Sequence, residues 1–343
     1  MIAKSGKIKK RTIYMMVLST MCLAGAFFVT TLLGISGCNS GENGTPEDTA
    51  TSGRVHITVD ETFAPIITSE INTFQSIYKD AKIDASYKPE AEAINDLLND
   101  SSRIVIVTRK LNKDEEAHFR KLEIIPHTVK ICYDAIAVIV NPSNRDTLMD
   151  YEKFKDVLSG KITKWNQAFP GSGLGDIQVI FDNQNSSTVR HVKEMNNGQL
   201  TKNGFAVKTN SAVIDYVAKH KNAVGVIGVS WISDKDDSTA LSFLKKVRVM
   251  GFNSTAPNAE PGEYYQPFQA YIAQKVYPLT REVYIISREA RMGLGSGFTT
   301  FIASEKGQRI FLKSGLVPAI APVRLVELKK SNIKITNDDN GKK

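Results

Sequence analysis

Residues 134–142, DAIAVIVNP, contain the run that decides the fold class. Six consecutive apolar residues at 135–140 predict a strand buried on both faces, because a half-exposed strand would alternate apolar and polar side chains. Further strands are predicted at 55–59, 103–108, 177–181 and 223–229. Helical apolar spacing lies between them, at 65–78, 89–99, 150–158, 188–195 and 213–220. This alternation predicts an α/β fold with mostly parallel sheets covered on both faces.

Signals at helix ends support the same pattern. Pro65 fits the first turn of its helix, where the missing N–H costs nothing. Asn112 with Glu115 three residues later is typical of a capping box, which predicts a helix through Leu122. A last helix is predicted at 298–312, preceded by a turn at the glycines of GLGSG, 293–297.

The N-terminus carries an export signal. Five basic residues lie between positions 4 and 11, and residues 13–35 are mostly apolar. Ile35-Ser36-Gly37-Cys38 then resembles a bacterial lipobox, in which the cysteine is lipidated and becomes the new N-terminus. An uncleaved transmembrane anchor is the alternative, since the apolar stretch is long enough to span a bilayer. Either interpretation exports the remaining chain and tethers it to a membrane, at its periplasmic or extracytoplasmic face.

Charge and cysteine content exclude some classes of protein. Without residues 1–37, 39 Lys and Arg face 36 Asp and Glu, so the net charge falls from +8 to +3 and gives no case for nucleic-acid binding. Cys22 lies in the signal and Cys38 carries lipid, which leaves Cys132 alone and no intrachain disulfide. The apolar surroundings of Cys132 predict a buried small side chain rather than a nucleophile.

Residues 181–192, FDNQNSSTVRHV, place three hydroxyls where a strand ends and a helix begins. A helix N-terminus presents about four unpaired N–H groups and roughly half a positive charge. One cap needs one side chain, so Ser186, Ser187 and Thr188 exceed what capping requires. The hydroxyls either cap the helix or point together with its N–H groups at a bound anion.

A second loop of the same kind occurs at residues 58–65, TVDETFAP, where a strand runs into a helix through Thr62 and Phe63. Ligands of open α/β sheets bind at such loops, so two of them facing one another would surround a small oxyanion. Arg109 follows the strand at 103–108 and could supply charge; the alternative is a surface ion pair with Asp114 or Glu115. Arg190, one turn into its helix, is predicted on a solvated face.

Together these segments resemble the phosphate-binding proteins of bacterial phosphate ABC importers, in a lipoprotein form. The resemblance spans residues 55–324 and rests on TFAP (62–65), DAIAVIVNP (134–142), LSGKITKW (158–165), NSST (185–188), AVGVIG (223–228) and GQRIFLKSGLVP (307–318). It implies a two-lobed clamp of the periplasmic-binding type with two crossovers. The implied divisions are a signal at 1–37, a flexible tether at 38–53, lobe one at 54–140 plus 265–328, lobe two at 141–264 and a polar tail at 329–343.

The resemblance also implies ligand residues. Thr62 and Phe63 match the family's first anion-binding loop, Phe63 through its backbone, and Ser186, Ser187 and Thr188 match its second. The family usually has arginine where this chain has Asp182, and aspartate where it has Thr108. We therefore expect that the charges have exchanged loops, with Arg109 as the cation.

In that exchange Asp182 would accept a hydrogen bond from a protonated phosphate oxygen. Sulfate offers no such proton, so this carboxylate would set specificity. The same departure leaves open that the ligand is another oxyanion.

The implied function is capture of inorganic phosphate by a monomer and its delivery to the membrane subunits of an ABC importer. No cofactor and no metal are implied. An enzyme is the rival class, yet the chain has no HExxH, CxxC or GxSxG motif. A second rival keeps the fold without delivery, as an oxyanion sensor or a partner scaffold at the membrane. Trp165 is expected to be a packing anchor rather than a site residue.

Overall fold

The computed structural model describes residues 47–320. These residues form twelve strands: β1 Gly53–Asp60, β2 Ala81–Lys88, β3 Ile104–Val107, β4 His127–Val140, β5 Leu148–Met149, β6 Gln178–Phe181, β7 Gly204–Ala206, β8 Ala223–Gly228, β9 Arg248–Val249, β10 Gly251–Phe252, β11 Thr280–Ser287 and β12 Val317–Pro318. The predicted signal, the lipidation site at Cys38 and the polar tail lie outside the described residues.

Eleven α-helices connect or flank these strands within the described part of the chain: α1 Ala64–Ile77, α2 Glu90–Leu98, α3 Lys113–Lys121, α4 Tyr151–Ser159, α5 Trp165–Ala168, α6 Ser187–Met195, α7 Asn210–Lys219, α8 Ser238–Lys246, α9 Gln269–Ala273, α10 Leu294–Ala303 and α11 Glu305–Lys313. Two short 3₁₀ turns, Glu61–Phe63 and Val229–Trp231, follow β1 and β8. The capping box predicted at Asn112 is present, with both of its hydrogen bonds.

Strand β4, which contains the DAIAVIV run, connects the two halves of the sheet. The strand order is β2-β1-β3-β11-β4-β8-β6-β7. Residues of β4 up to Ala135 pair with β11 and β12, and residues from Ile136 onward pair with β8 and β9. We call the part built on β1, β2, β3, β11 and β12 the first lobe, and the part built on β6, β7, β8 and β9 the second lobe.

The chain crosses between the lobes twice, within β4 and again between β9 and β11. This is the α/β fold that the sequence pattern predicts, in the two-lobed form that the resemblance implies. The sheet is mixed: β1 pairs parallel with β2 and β3, and β6 parallel with β7 and β8, whereas β4 and β11 pair antiparallel with their neighbours. Strand β11 was not among the predicted strands.

Both faces of β3 are covered, which explains the continuous apolar run at 104–107. Ile104 and Ile106 point into the large core, while Val105 and Val107 point into a smaller cluster with residues of α2 and α3. Because successive side chains of a strand alternate between faces, two covered faces require apolar residues at every position.

The C-terminal helical region differs from the prediction. The single helix expected at 298–312 is two helices, because Ser304 is extended and its hydroxyl bonds to the carbonyl of Phe301. The glycines of GLGSG lie mainly inside α10 rather than in a turn. A Cβ on Gly297 would overlap the carbonyl oxygen of Ala50, so this glycine allows the end of the predicted tether to pack against the helix.

Two predicted core residues are confirmed. Cys132 is fully buried, and the indole of Trp165 is buried with its N–H bonded to the carbonyl of Asn222 at 3.0 Å. Within residues 47–320, every helix is too short or too polar to cross a bilayer.

Candidate functional site

The two predicted helix-starting loops meet in the cleft between the lobes. The first follows β1 and forms the 3₁₀ turn before α1, and the second precedes α6. Thr62 Oγ1 and Ser187 Oγ lie 3.5 Å apart, and both side chains are fully buried. The structure thus brings together one predicted ligand residue from each lobe.

The three hydroxyls of the second loop have separate surroundings. Ser186 caps α6 by accepting from Val189 N at 3.2 Å, and donates to Asp182 Oδ1 at 2.7 Å. Ser187 turns toward the first lobe, while Thr188 is fully buried and its Oγ1 has no protein partner. Ser186 therefore follows the capping interpretation, and the other two hydroxyls remain candidates for a ligand.

The cation at this junction is Arg281 of β11, which the sequence did not indicate. Its Nε donates to Asp134 Oδ2 at 2.7 Å and its Nη1 to Ser187 Oγ at 3.0 Å. Arg281 and Asp134 are direct partners in the β11–β4 register. The guanidinium lies 5.3 Å from the ring centre of Phe63, within cation–π range. Phe63 thus contributes its side chain to holding the cation.

A carboxylate, Asp60, faces the same junction. Its Oδ1 accepts from Thr62 N at 3.1 Å and from Thr62 Oγ1 at 2.9 Å, while Oδ2 has no protein partner. Burial, with the nearby charge of Glu90, raises the pKa of Asp60 to about 7, against the opposing effect of Arg281. The carboxyl group is therefore poised to lose or accept a proton near neutral pH.

Unpartnered buried atoms concentrate here. Of the eight such side-chain atoms within residues 47–320, four belong to this group: Asp60 Oδ2, Asp134 Oδ1, Thr188 Oγ1 and Arg281 Nη2. A buried donor or acceptor without a partner costs about 1–3 kcal/mol. A bound oxyanion would accept from the two donors, and a protonated oxyanion would donate to an acceptor.

Asp182 is buried next to the cluster with its oxygens already engaged. Oδ1 accepts from Ser186, and Oδ2 from Asn210 Nδ2 at 3.3 Å. Burial raises the pKa of Asp182, although the Ser186 donor opposes the change. Asn210 also donates to Glu61 Oε2 at 2.6 Å, so it joins the two lobes. Asp182 orders its own loop rather than presenting a free oxygen.

Arg109 is held away from the hydroxyls by a local partner. Its Nη1 and Nη2 donate to the two oxygens of Glu115 at 2.8 and 2.7 Å. Glu115 also accepts from Asn112 N at 2.8 Å, as part of the capping box. Arg109 does line a cavity of about 250 Å³ that Ser186 also lines. The surface ion pair considered from the sequence is the arrangement that the structure shows.

Arg190 differs from its prediction as a solvent-facing residue. Its Nε donates to Glu90 Oε2 at 2.5 Å, and the Glu90 side chain is only 2% exposed. This contact joins α6 of the second lobe to α2 of the first, at a second cluster beside the hydroxyl junction.

The residues that sequence reasoning missed carried one usable signal. Asp60 and Glu61 directly precede Thr62, and Arg281 lies two residues before the apolar run Val283 to Ile286. A charge at a buried strand position requires a partner, so such positions indicate a pair or a ligand. Within the described part of the chain, no group of three or more His, Cys, Asp or Glu side chains could hold a metal ion.

Comparison with known proteins gives a consistent relationship. The PBP superfamily domain matches residues 44–306 of this chain. The phosphate-binding protein PstS of Borreliella burgdorferi is 24% identical over 268 residues, which cover 75% of this chain and 86% of the relative. A PstS of Staphylococcus saprophyticus is 23% identical over 292 residues, which cover 82% and 86% of the two chains.

Solved structures share the fold. A putative phosphate ABC transporter substrate-binding protein from Clostridium perfringens, solved with bound phosphate, superposes with a TM-score of 0.64 at 22% identity, covering 78% of this chain and 99% of that one. An ABC-type phosphate transport receptor from Vibrio cholerae gives 0.58 at 19% identity, covering 78% and 100%.

Proposed function

The chain belongs to the PBP superfamily, and from that premise we propose that it captures inorganic phosphate between its lobes and delivers it to an ABC importer. Both curated relatives described above are named as phosphate-binding proteins, which supports binding over catalysis. The observation that carries the proposal is Arg281, whose guanidinium is buried against Ser187 with Nη2 unpartnered.

The proposed donors come from both lobes. Ser187 accepts from Arg281, and its own O–H and that of Thr62 can both rotate from Asp60 toward the ligand. At a separation of 3.5 Å these two hydroxyls can donate to one phosphate oxygen, each about 2.7 Å away. Thr188 Oγ1, Arg281 Nη2 and backbone N–H groups at the start of α6 complete the set, with the Phe63 backbone as a further donor.

We assign the charged roles differently from the sequence-based expectation. Arg281 takes the role expected of Arg109, and Asp60 takes the role expected of Asp182. The free Oδ2 of Asp60 is the proposed acceptor for a protonated phosphate oxygen, which selects phosphate over sulfate. Ser186 and Asp182 then hold the second loop in place.

The binding energy is sufficient for a transport protein. Hydrogen bonds to charged groups contribute about 1.5–3 kcal/mol each. A micromolar Kd requires about 8 kcal/mol. Five or six donors of this kind therefore suffice after losses from ordering and lobe closure.

The proposal includes membrane attachment outside the described residues. The sequence pattern at 35–38 supports a lipidated Cys38, with residues 38–53 as the tether and a periplasmic or extracytoplasmic location. We propose a monomer whose lobes correspond to 54–140 plus 265–328 and to 141–264. The change of strand partners between Ala135 and Ile136 supports a crossover within β4, five residues before the proposed boundary at 140/141.

A sensor or scaffold without a delivery role is the other candidate. The solved structures from Clostridium perfringens and Vibrio cholerae are named as transport proteins, which supports the delivery role. The paired donors in the cleft favour a bound oxyanion over a scaffold.

Calorimetric titration of the full chain in detergent, after removal of bound ions, tests the proposal with phosphate and then sulfate. We expect micromolar or tighter phosphate binding at pH 7 and no heat from sulfate. Equal binding of both ions would overturn the role of Asp60, and no heat from either ion would overturn phosphate capture itself.

A further inference from the structure

A second set of charged contacts joins the lobes beside the proposed phosphate cage. Glu90 is the first residue of α2, and Thr108 follows β3, so both belong to the first lobe. Arg190 lies on α6 of the second lobe. Every side-chain hydrogen bond between Arg190 and these two residues crosses the cleft.

The side chains of Glu90, Thr108 and Arg190 are hydrogen-bonded directly to one another. Glu90 Oε1 accepts from both the N–H and the hydroxyl of Thr108 at 2.7 Å, and its Oε2 accepts from Arg190 Nε at 2.5 Å. Arg190 Nη2 donates to Thr108 Oγ1 at 2.7 Å. The Thr108 hydroxyl thus donates in one direction and accepts in the other, which closes a ring of hydrogen bonds across the cleft.

This ring is desolvated on the first-lobe side. The Glu90 side chain is 2% exposed and that of Arg190 is 25% exposed. Burial disfavours the Glu90 carboxylate, yet the charge and hydrogen bonds of Arg190 lower its pKa below the usual range. Beside the ring, Ala91 N donates to the carbonyl of Asn185 at 3.2 Å, a backbone hydrogen bond between the lobes.

We propose that Glu90, Thr108 and Arg190 form an interlobe latch that stabilises the closed form and slows release of the ligand. The latch rests on the proposed function only in naming phosphate as that ligand. Opening the cleft would separate Arg190 from both partners and expose Glu90 to water. The contacts made only in the closed form therefore add to its lifetime without touching the ion.

Arg190 offers a matched control within its own helix. Its Nη1 donates to both oxygens of Glu194 at 2.7 and 2.8 Å, and this pair lies entirely on α6. Glu194→Gln removes a charged partner of the same guanidinium while leaving the interlobe contacts intact. Glu90→Gln and Arg190→Gln instead remove the charges that join the lobes.

The test uses the full chain and two readouts: the phosphate release rate by stopped flow, and hydrogen exchange of the Ala91 amide by NMR without phosphate. Arg190→Gln and Glu90→Gln should each speed release about tenfold, which corresponds to about 1.4 kcal/mol. Both should also speed Ala91 exchange in the ligand-free protein. The double variant should show less than the sum of the two effects, because the residues act on one contact. Glu194→Gln should change release about twofold or less.

Several results would overturn the latch. Equal effects of Arg190→Gln and Glu194→Gln on both readouts would overturn the latch. So would unchanged Ala91 exchange in both interlobe variants. If Arg190→Gln destabilises the fold in thermal unfolding, Thr108→Val, which keeps the side-chain shape, must reproduce the faster release or the latch is refuted. If the wild-type chain binds no phosphate, the proposed function fails, and Ala91 exchange alone still supports or refutes the latch.

Discussion

Arg109 and Arg281 lie in two regions of the first lobe, and the sequence pointed only to Arg109 as a ligand residue. Arg109 stands at the carboxyl end of β3, where ligands of open sheets bind, yet Glu115 holds it through two hydrogen bonds. Arg281 stands near the start of β11, where no ligand loop was expected, yet it reaches Ser187 across the cleft. Position at a strand end is therefore less informative than the partners within reach of the side chain.

The largest expected difference between the two regions is in phosphate affinity. Arg281→Lys keeps a positive charge but loses the fork that bonds Asp134 and Ser187 together. We expect phosphate affinity to fall at least about tenfold, the equivalent of one hydrogen bond to a charged group. Arg109→Lys should leave it within about twofold, since this residue forms a partly exposed pair. Calorimetry on both variants would contradict the comparison if Arg109→Lys had the larger effect.

A second comparison separates the two buried aspartates. Asp60→Asn should lower the preference for phosphate over sulfate about tenfold, because the amide no longer has a free carboxylate oxygen to accept the ligand proton. Asp182→Asn should preserve that preference and lower unfolding stability by about 1–3 kcal/mol, since an amide N–H₂ would then face Asn210. Competition titrations and chemical unfolding measure the two effects. Loss of selectivity in Asp182→Asn alone would restore the sequence-based assignment.

The third comparison concerns the pH dependence of stability that two acids cause. Glu70 in α1 is fully buried with both oxygens unpartnered, and burial raises its pKa to about 9. An acid with a raised folded-state pKa stabilises the fold below its unfolded pKa and loses that contribution as pH rises toward the folded value. Between about pH 4.5 and 9, Glu70 should therefore reduce stability by up to about 1.4 kcal/mol per pH unit.

Glu70→Gln should flatten the decline of unfolding free energy across that range and change little at pH 4.5. Glu115 is the matched control at the Arg109 region. Burial favours the protonated form of Glu115, but the hydrogen bonds from Arg109 outweigh burial and lower the pKa of this group. The ionised Glu115 therefore stabilises the fold above about pH 4.5, and this stabilisation is lost on acidification. Glu115→Gln should change the profile only on the acid side. Identical profiles for the two variants would contradict both assignments.

Much of the fold follows from local patterns. The predicted helices at 65–78, 89–99, 150–158, 188–195 and 213–220 match observed helices with boundaries shifted by up to three residues. The burial of Cys132 also followed from its neighbours. Apolar spacing and capping depend on residues within a few positions of one another, so they can be recognised in the sequence.

Three features of the fold were not predicted: the break at Ser304, the packing of Ala50 on Gly297, and strand β11. The break at Ser304 and the packing of Ala50 on Gly297 depend on contacts made after the helices dock. Strand β11 went unpredicted although Val283 and Ile285 enter the main core and Tyr284 and Ile286 the smaller cluster. Its polar first residues, Thr280 to Glu282, obscured the apolar run.

The sequence by itself determined that two helix-starting loops rich in hydroxyls exist and that Thr62 and Ser187 belong to them. Only the tertiary structure decided which charges accompany them. Arg281 meets Asp134 because the antiparallel register of β11 and β4 places them opposite one another. Arg109 stays away from the hydroxyls because its guanidinium donates two hydrogen bonds to Glu115, a member of the capping box six residues away. Hydroxyl loops are local features, whereas the partner of a buried charge depends on strands about 150 residues apart in the chain.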